Sequence, residues 1–209
     1  MDRKKISEAI TKALEDKGKR KFPQSLEFIV NFRNINFAKA ENRLNIDILL
    51  PKGKGKDQKV VVFADAQMAY DAKQAGAVEV IDGPGIARLK SDKAKLSSLI
   101  KTCEFISQPS LMVQVGKNLG QVLGSRGRLP RPIVGPVKAA MDQAKKRVRL
   151  ASKGKYLPVA QCLIGSEKME LEDLIENFEA AYDKVKAKVT EPNIKSVYVK
   201  LTMGKSAKV

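Results

Sequence analysis

The residues best placed by type and spacing to do chemistry are Arg126, Arg128 and Arg131, in the run Gly124-Ser125-Arg126-Gly127-Arg128-Leu129-Pro130-Arg131-Pro132. Guanidinium forks hold phosphates bidentately, and glycines let backbone N–H groups approach a phosphate chain. The run lies within residues 114–155, which hold 11 basic residues and one acid, Asp142, in a 209-residue chain of formal net charge +17. A basic run is ordinarily a solvated face. Arginines in a Gly/Pro-rich loop are not needed for solubility, so the pattern points to a polyanion, nucleic acid first and an anionic membrane surface second.

Other chemistries drop out. The chain has no histidine, which removes imidazole ligation of metals, Ser-His-Asp and Cys-His catalysis, and histidine pH switching. Its two cysteines, Cys103 and Cys162, lie far apart in apolar sequence, as buried reduced thiols do. Gly83-Pro84-Gly85 lacks the third glycine of the dinucleotide fingerprint and reads as a turn, and residues 120–124 have no following Lys-Ser/Thr. The acids of the middle third, Asp65 to Asp142, are scattered rather than clustered for metal chemistry. The expectation is a non-enzyme without cofactor or metal. The alternative is a nucleotide-dependent enzyme built on parallel α/β sequence. No apolar run approaches the roughly 20 residues of a membrane span, and residues 1–6 lead into an amphipathic pattern rather than a signal segment, so a cytoplasmic protein without membrane partners is expected.

Two kinds of element must position these residues. Ile6, Ala9, Ile10, Ala13 and Leu14 recur at helical spacing. Leu26, Phe28, Val30 and Phe32 alternate with polar residues, as do Leu44, Ile46, Ile48 and Leu50, which marks strands with one buried face. Lys52-Gly53-Lys54-Gly55-Lys56 then reads as a flexible basic loop. From Val60 the character changes. Residues 60–64 are continuously apolar, and short strands at 78–81 and 104–106 alternate with helical stretches, the last at 137–147. Beyond Leu150 alternation returns at 159–164 and 197–203, around a long amphipathic helix at 171–189.

Neither flank can bury its apolar faces alone. Residues 1–59 and 151–209 are therefore expected to form one discontinuous α+β domain of split β-α-β type with an antiparallel sheet, four strands and two helices. Residues 60–150 would be an inserted, small parallel-sheet (Rossmann-like) α/β domain, and two chain crossings would permit hinge motion. By these segments the charge is +7 (15 basic, 8 acidic), +8 (15 and 7) and +2 (10 and 8). Aromatics make up 5% with no Trp, which favours structured nucleic acid over stacked single strands. Phe22 in Lys19-Arg20-Lys21-Phe22-Pro23 is either an exposed contact or a plug at a helix end.

The stretch Gly116-Lys117-Asn118-Leu119-Gly120 through Pro132, with its Leu-Gly, Arg-Gly and Leu-Pro pairs, resembles the universal large-subunit ribosomal protein L-one family, the mobile-stalk proteins. The closing Ser196-Val197-Tyr198-Val199-Lys200-Leu201-Thr202-Met203-Gly204 is similar to the family's C-terminal strand, and the element order agrees over the full chain. The length resembles the archaeal version. Ser125, Arg131, Pro136 and Lys205 depart from the bacterial pattern.

The resemblance implies a protein, monomeric when free, that binds large-subunit rRNA at the mobile stalk through the discontinuous domain. It further implies that the inserted domain helps deacylated tRNA leave the exit site, and that the protein represses translation by binding its own mRNA leader. The implied RNA contacts are Phe22, Ser25, Glu27, Lys153, Thr202, Met203, Gly204 and Ser206, with Lys117, Arg126, Arg128 and Arg131 as secondary RNA or tRNA contacts. From the residues alone, Met203 suits a core, Thr202 an ordinary strand, and Glu27 a solvated partner to a lysine.

Overall fold

In the computed structural model, which describes residues 2–152 and 157–209, the chain divides into two compact units. One is Met1–Lys56 with Lys146–Val209, and the other is Asp57–Lys145. The first unit opens with α1 (Arg3–Leu14), where Asp2 caps the Lys4 N–H at 3.1 Å and Ile6, Ala9, Ile10 and Ala13 form a buried stripe. In β1 (Ser25–Phe32), Leu26, Phe28, Val30 and Phe32 are buried while Ser25, Glu27, Ile29 and Asn31 face outward. β2 (Asn45–Leu49) ends the N-terminal part.

The second unit follows the expected alternation. β3 (Lys59–Phe63), α2 (Ala66–Gln74), β4 (Glu79–Ile81), α3 (Gly83–Ser91), α4 (Lys93–Thr102), β5 (Cys103–Ser107), α5 (Met112–Ser125), β6 (Arg131–Pro132) and α6 (Val137–Lys146) build a four-stranded parallel sheet in the order β4-β3-β5-β6. One face carries a core of Val61, Phe63, Phe105, Leu119 and neighbours, and the other a core of Val60, Val62, Ile106, Met141 and neighbours. Both faces are covered, which is why residues 60–64 are apolar without alternation.

The chain then returns to the first unit through β7 (Arg147–Ser152), β8 (Val159–Ser166), α7 (Leu171–Lys188), β9 (Ile194–Leu201) and β10 (Ala207–Lys208). The antiparallel sheet runs β10-β9-β1-β8-β7-β2, so β1 sits between two strands from the far end of the chain. α1 and α7 seal one face, with Phe28 and Phe178 meeting edge to face at 5.1 Å. Two acids of α7 face α1 on this side, where Arg3 pairs with Glu172 at 3.0 Å and Glu179 at 3.8 Å.

Four expectations need correction. Among the described residues the sheet has six strands rather than four, because β10 is only two residues long and β7 follows α6 without a break, so its alternation reads as the end of the helical stretch. The units divide at Lys56/Asp57 and Lys145/Lys146, since Arg147–Ser152 is a strand of the antiparallel sheet and no Gly or Pro separates it from α6. Gly83-Pro84 is the start of a helix capped by Asp82, whose carboxylate accepts the Gly85 N–H at 2.7 Å, with proline in the first turn. Thr202 and Met203 lie in a turn beyond β9 rather than in a strand.

Candidate nucleic-acid interface

Ser25 and Thr202, 177 positions apart, meet at one end of the antiparallel sheet. The Ser25 carbonyl accepts the Thr202 N–H at 3.0 Å and the Thr202 hydroxyl at 3.2 Å. The next residue is held by Gln24, which is 1% exposed: its Oε1 accepts the Met203 N–H at 3.0 Å, and its Nε2 donates to the Asp16 carbonyl at 3.3 Å. Asp16 Oδ2 then accepts the Lys205 N–H at 3.2 Å. The Lys19 ammonium, and after it that backbone donor, hold the Asp16 carboxyl below its ordinary value.

Gly204 closes the turn by donating to the Leu201 carbonyl at 2.9 Å. A Cβ there would lie 3.1 Å from Leu201 Cβ and 3.4 Å from Asp16 Oδ2, so the approach suits glycine. With its backbone tied at both ends, the turn projects the Met203 side chain outward at 58% exposure.

Ser25, Glu27 and Thr202 line a shallow concavity of ≈ 190 Å³ with Gln161, Cys162 and Leu163. A bulge between Leu26 and Glu27 in the β1–β8 register sets the aim of its floor. Hydroxyl, carboxylate and carboxamide groups on such a surface can exchange hydrogen bonds with ribose 2′-hydroxyls and base edges. Burial pushes the Cys162 thiol up to about 12, so it stays protonated and is no nucleophile. Two cations border the floor: Lys56 Nζ donates to Ser25 Oγ at 2.8 Å, and Lys200 Nζ to the Thr202 carbonyl at 3.3 Å.

The structure thus brings Ser25, Glu27, Thr202, Met203 and Gly204 together. Phe22 is half-exposed in the segment entering β1, and Ser206 is exposed at the far side of the turn. Lys153 lies outside the described residues. Sequence reasoning missed Asp16, Gln24, Lys56 and Lys200, whose positions depend on contacts between distant segments.

In the second unit the arginine loop has a different local cause from the one expected. Gly127, at φ 65°, ends α5 in a Schellman arrangement: its N–H bonds the Gly124 carbonyl at 3.0 Å, and the Arg128 N–H bonds the Leu123 carbonyl at 2.8 Å. These two amides terminate the helix instead of cradling phosphate. Arg128 is ion-paired with Glu104, while Lys117, Arg126 and Arg131 are exposed.

The crevice where a parallel sheet of this order holds nucleotides lies between the ends of β3 and β5. Here the Asp65 N–H bonds Gln108 Oε1 at 3.1 Å, Asp65 Oδ1 accepts the Gly83 N–H at 3.0 Å, and Gln114 Nε2 donates to the Gly83 carbonyl at 2.9 Å. The groups that would bind a ligand are engaged with one another. Among the described residues no cluster of three or more metal-ligating side chains occurs, and no helix is long and apolar enough to cross a membrane.

Fold and site define a class: a basic protein with a split α+β unit that presents a polar turn at a strand end, interrupted by a parallel α/β unit. Within that class the chain belongs to the Ribosomal protein L1p/L10e family, which residues 11–205 match. It is 37% identical over 214 residues to the large ribosomal subunit protein uL1 of Methanocella arvoryzae, covering 100% of both chains. It is 40% identical to the protein of the same name from Thermofilum pendens, over 98% of this chain and 92% of that one. The corresponding protein of Methanocaldococcus jannaschii is 36% identical, over 100% of this chain and 96% of its own.

Proposed function

We propose that this chain is a non-enzymatic component of the large ribosomal subunit, acting in the cytoplasm, that binds large-subunit rRNA at the mobile stalk through the strand-end surface of the antiparallel sheet. The parallel α/β unit assists release of deacylated tRNA from the exit site through Lys117, Arg126, Arg128 and Arg131. The same strand-end surface binds the protein's own mRNA leader and represses its translation. Phe22, Ser25, Glu27, Lys153, Thr202, Met203, Gly204 and Ser206 are the rRNA contacts of this reading.

The observation that supports it most is the Thr202–Gly204 turn, tied through Ser25, Gln24 and Asp16 so that Met203 projects beside a polar floor. Small polar groups on a rigid edge suit the shape and 2′-hydroxyls of folded RNA, whereas exposed arginines add sequence-blind affinity. Footprinting the full chain on total rRNA tests partner and site together. One protected large-subunit segment is expected, with affinity falling roughly 10³ to 10⁵-fold between about 50 and 200 mM salt for ~6 to 10 phosphate contacts. Thr202→Ala or Met203→Ala is expected to weaken that binding by ~1 to 3 kcal/mol, and neutralising Arg126, Arg128 and Arg131 to leave it largely intact. Equal losses from both sets reject the division of roles.

A further inference from the structure

The segment Lys52-Gly53-Lys54-Gly55-Lys56 is a built part of the sheet end. Asn177 of α7, 0% exposed, ties it to the sheet: Oδ1 accepts the Lys52 N–H at 3.0 Å, and Nδ2 donates to the Gly53 carbonyl at 2.9 Å and to the Ile164 carbonyl of β8 at 2.8 Å. A buried amide with both ends satisfied by backbone fixes a loop as a β-ladder would. Lys52 adds a second tie, with Nζ 3.2 Å from Asp173 and 3.5 Å from Glu176, and those acids raise its pKa. Gly55, at φ 66°, lies so close to α7's approach that a Cβ would fall 2.6 Å from Met169 Sδ and 2.9 Å from Ser166 Cβ.

The lysines of this loop therefore differ in kind. Lys52 is neutralised by two carboxylates, whereas Lys56 is exposed and directs its ammonium to a neutral hydroxyl, Ser25 Oγ, at the rim of the concavity. An exposed lysine whose ammonium rests on a hydroxyl rather than a carboxylate can turn to an incoming anion without giving up an ion pair.

We propose that the 52–56 loop is a further element of the RNA site, that Lys56 contacts an RNA phosphate there, and that Asn177 is the positioning residue that holds the loop in place. This rests on the strand-end surface being the rRNA site. Lys56 adds a positive charge on the Ser25 side of a floor whose lining is otherwise uncharged or acidic, as Lys200 does on the Thr202 side. Asn177 is buried and reaches RNA only by placing the loop, so its contribution to binding and that of Lys56 are one contribution.

The test measures binding of the full chain to a large-subunit rRNA transcript across a salt series, with thermal melting in parallel. Lys56→Gln is expected to lower affinity about tenfold and the log–log salt slope by about 0.7 to 0.9, the share of one phosphate, without shifting the melting temperature. Asn177→Ala is expected to give the same slope change, and the Lys56→Gln/Asn177→Ala double variant to bind RNA no more weakly than Asn177→Ala alone. Gly55→Ala disturbs the loop from its own side and serves if Asn177→Ala lacks a folded baseline. An unchanged slope in Lys56→Gln, or losses that multiply in the double variant, overturns the proposal. Wild-type protein that fails to select rRNA over an equal mass of duplex RNA instead rejects the underlying site.

Discussion

Gln24 shows how one side chain can set a surface it does not belong to. Its carboxamide joins the end of the first helical segment to the Met203 backbone, and its own carbonyl accepts the Glu167 N–H at 3.0 Å. Replacing it by alanine leaves buried donors and acceptors without partners, which costs ~1 to 3 kcal/mol of stability and frees the turn. Urea unfolding with RNA binding measured alongside checks this, and a variant of wild-type stability and affinity contradicts it. Asp16 makes the same turn sensitive to acid. Its folded pKa is depressed below 3.8, so its stabilisation is complete above the unfolded value and disappears as pH falls through the folded one. Wild type should therefore melt above Asp16→Asn near neutrality, with the gap closing well below pH 3.8. A gap that does not change with pH rules out the carboxylate as its origin.

Among the elements, those with a clear period were legible from sequence and those made by tertiary pairing were not. The alternation in β1, β8 and β9, the apolar run of β3 and the stripes of α1 and α7 follow from spacing, because each element buries one defined face. β10 is two residues that exist as a strand only by pairing Val199 and Tyr198, and β7, which abuts α6, is set apart from the helix by its pairing with β2 and β8. The site divides the same way. Thr202-Met203-Gly204 was singled out by family resemblance alone, and as a candidate it depends on Ser25, Gln24 and Asp16 arriving from the other end of the chain. Asn177 did leave a signal, a polar residue three after Leu174 and four before Ala181 on the apolar stripe of α7. The glycine of the arginine loop was legible in position but not in cause. Gly127→Ala forces a Cβ into the left-handed region and should destabilise the parallel unit by ~1 to 2 kcal/mol, read by denaturant unfolding, with little effect on binding to the isolated rRNA site. A neutral substitution there excludes the helix-ending role.

For the molecule as a whole, the position of the unit boundary changes where its charge resides. Moving the return crossing from about residue 150 to Lys145/Lys146, and the outward one to Lys56/Asp57, gives the discontinuous unit 27 basic and 15 acidic residues, +12, and the inserted unit 13 and 8, +5. The unit with the strand-end surface thus carries most of the excess charge, so under the proposed function long-range attraction and specific reading would fall on the same unit. That unit also has its own core: every buried residue of the antiparallel cluster comes from residues 6–50 or 148–207, and none from the insertion. The Leu50 N–H bonds the Lys146 carbonyl at 3.1 Å, so the return crossing lies beside the end of β2, six residues before the outward crossing at Lys56. A linker of about six residues, reaching ~20 Å at ~3.5 Å per residue, is long enough to retrace the chain from Lys56 to Leu50 beside Lys146 and leaves a chain of about 125 residues, large enough to bury a core. Such a chain is expected to unfold in one cooperative transition and to hold the rRNA segment within about tenfold of the intact protein, with a salt slope only slightly reduced. A chain that melts without a transition shows that the core depends on the insertion. One that folds but binds more than about a hundredfold more weakly moves specific recognition to surfaces the parallel unit supplies.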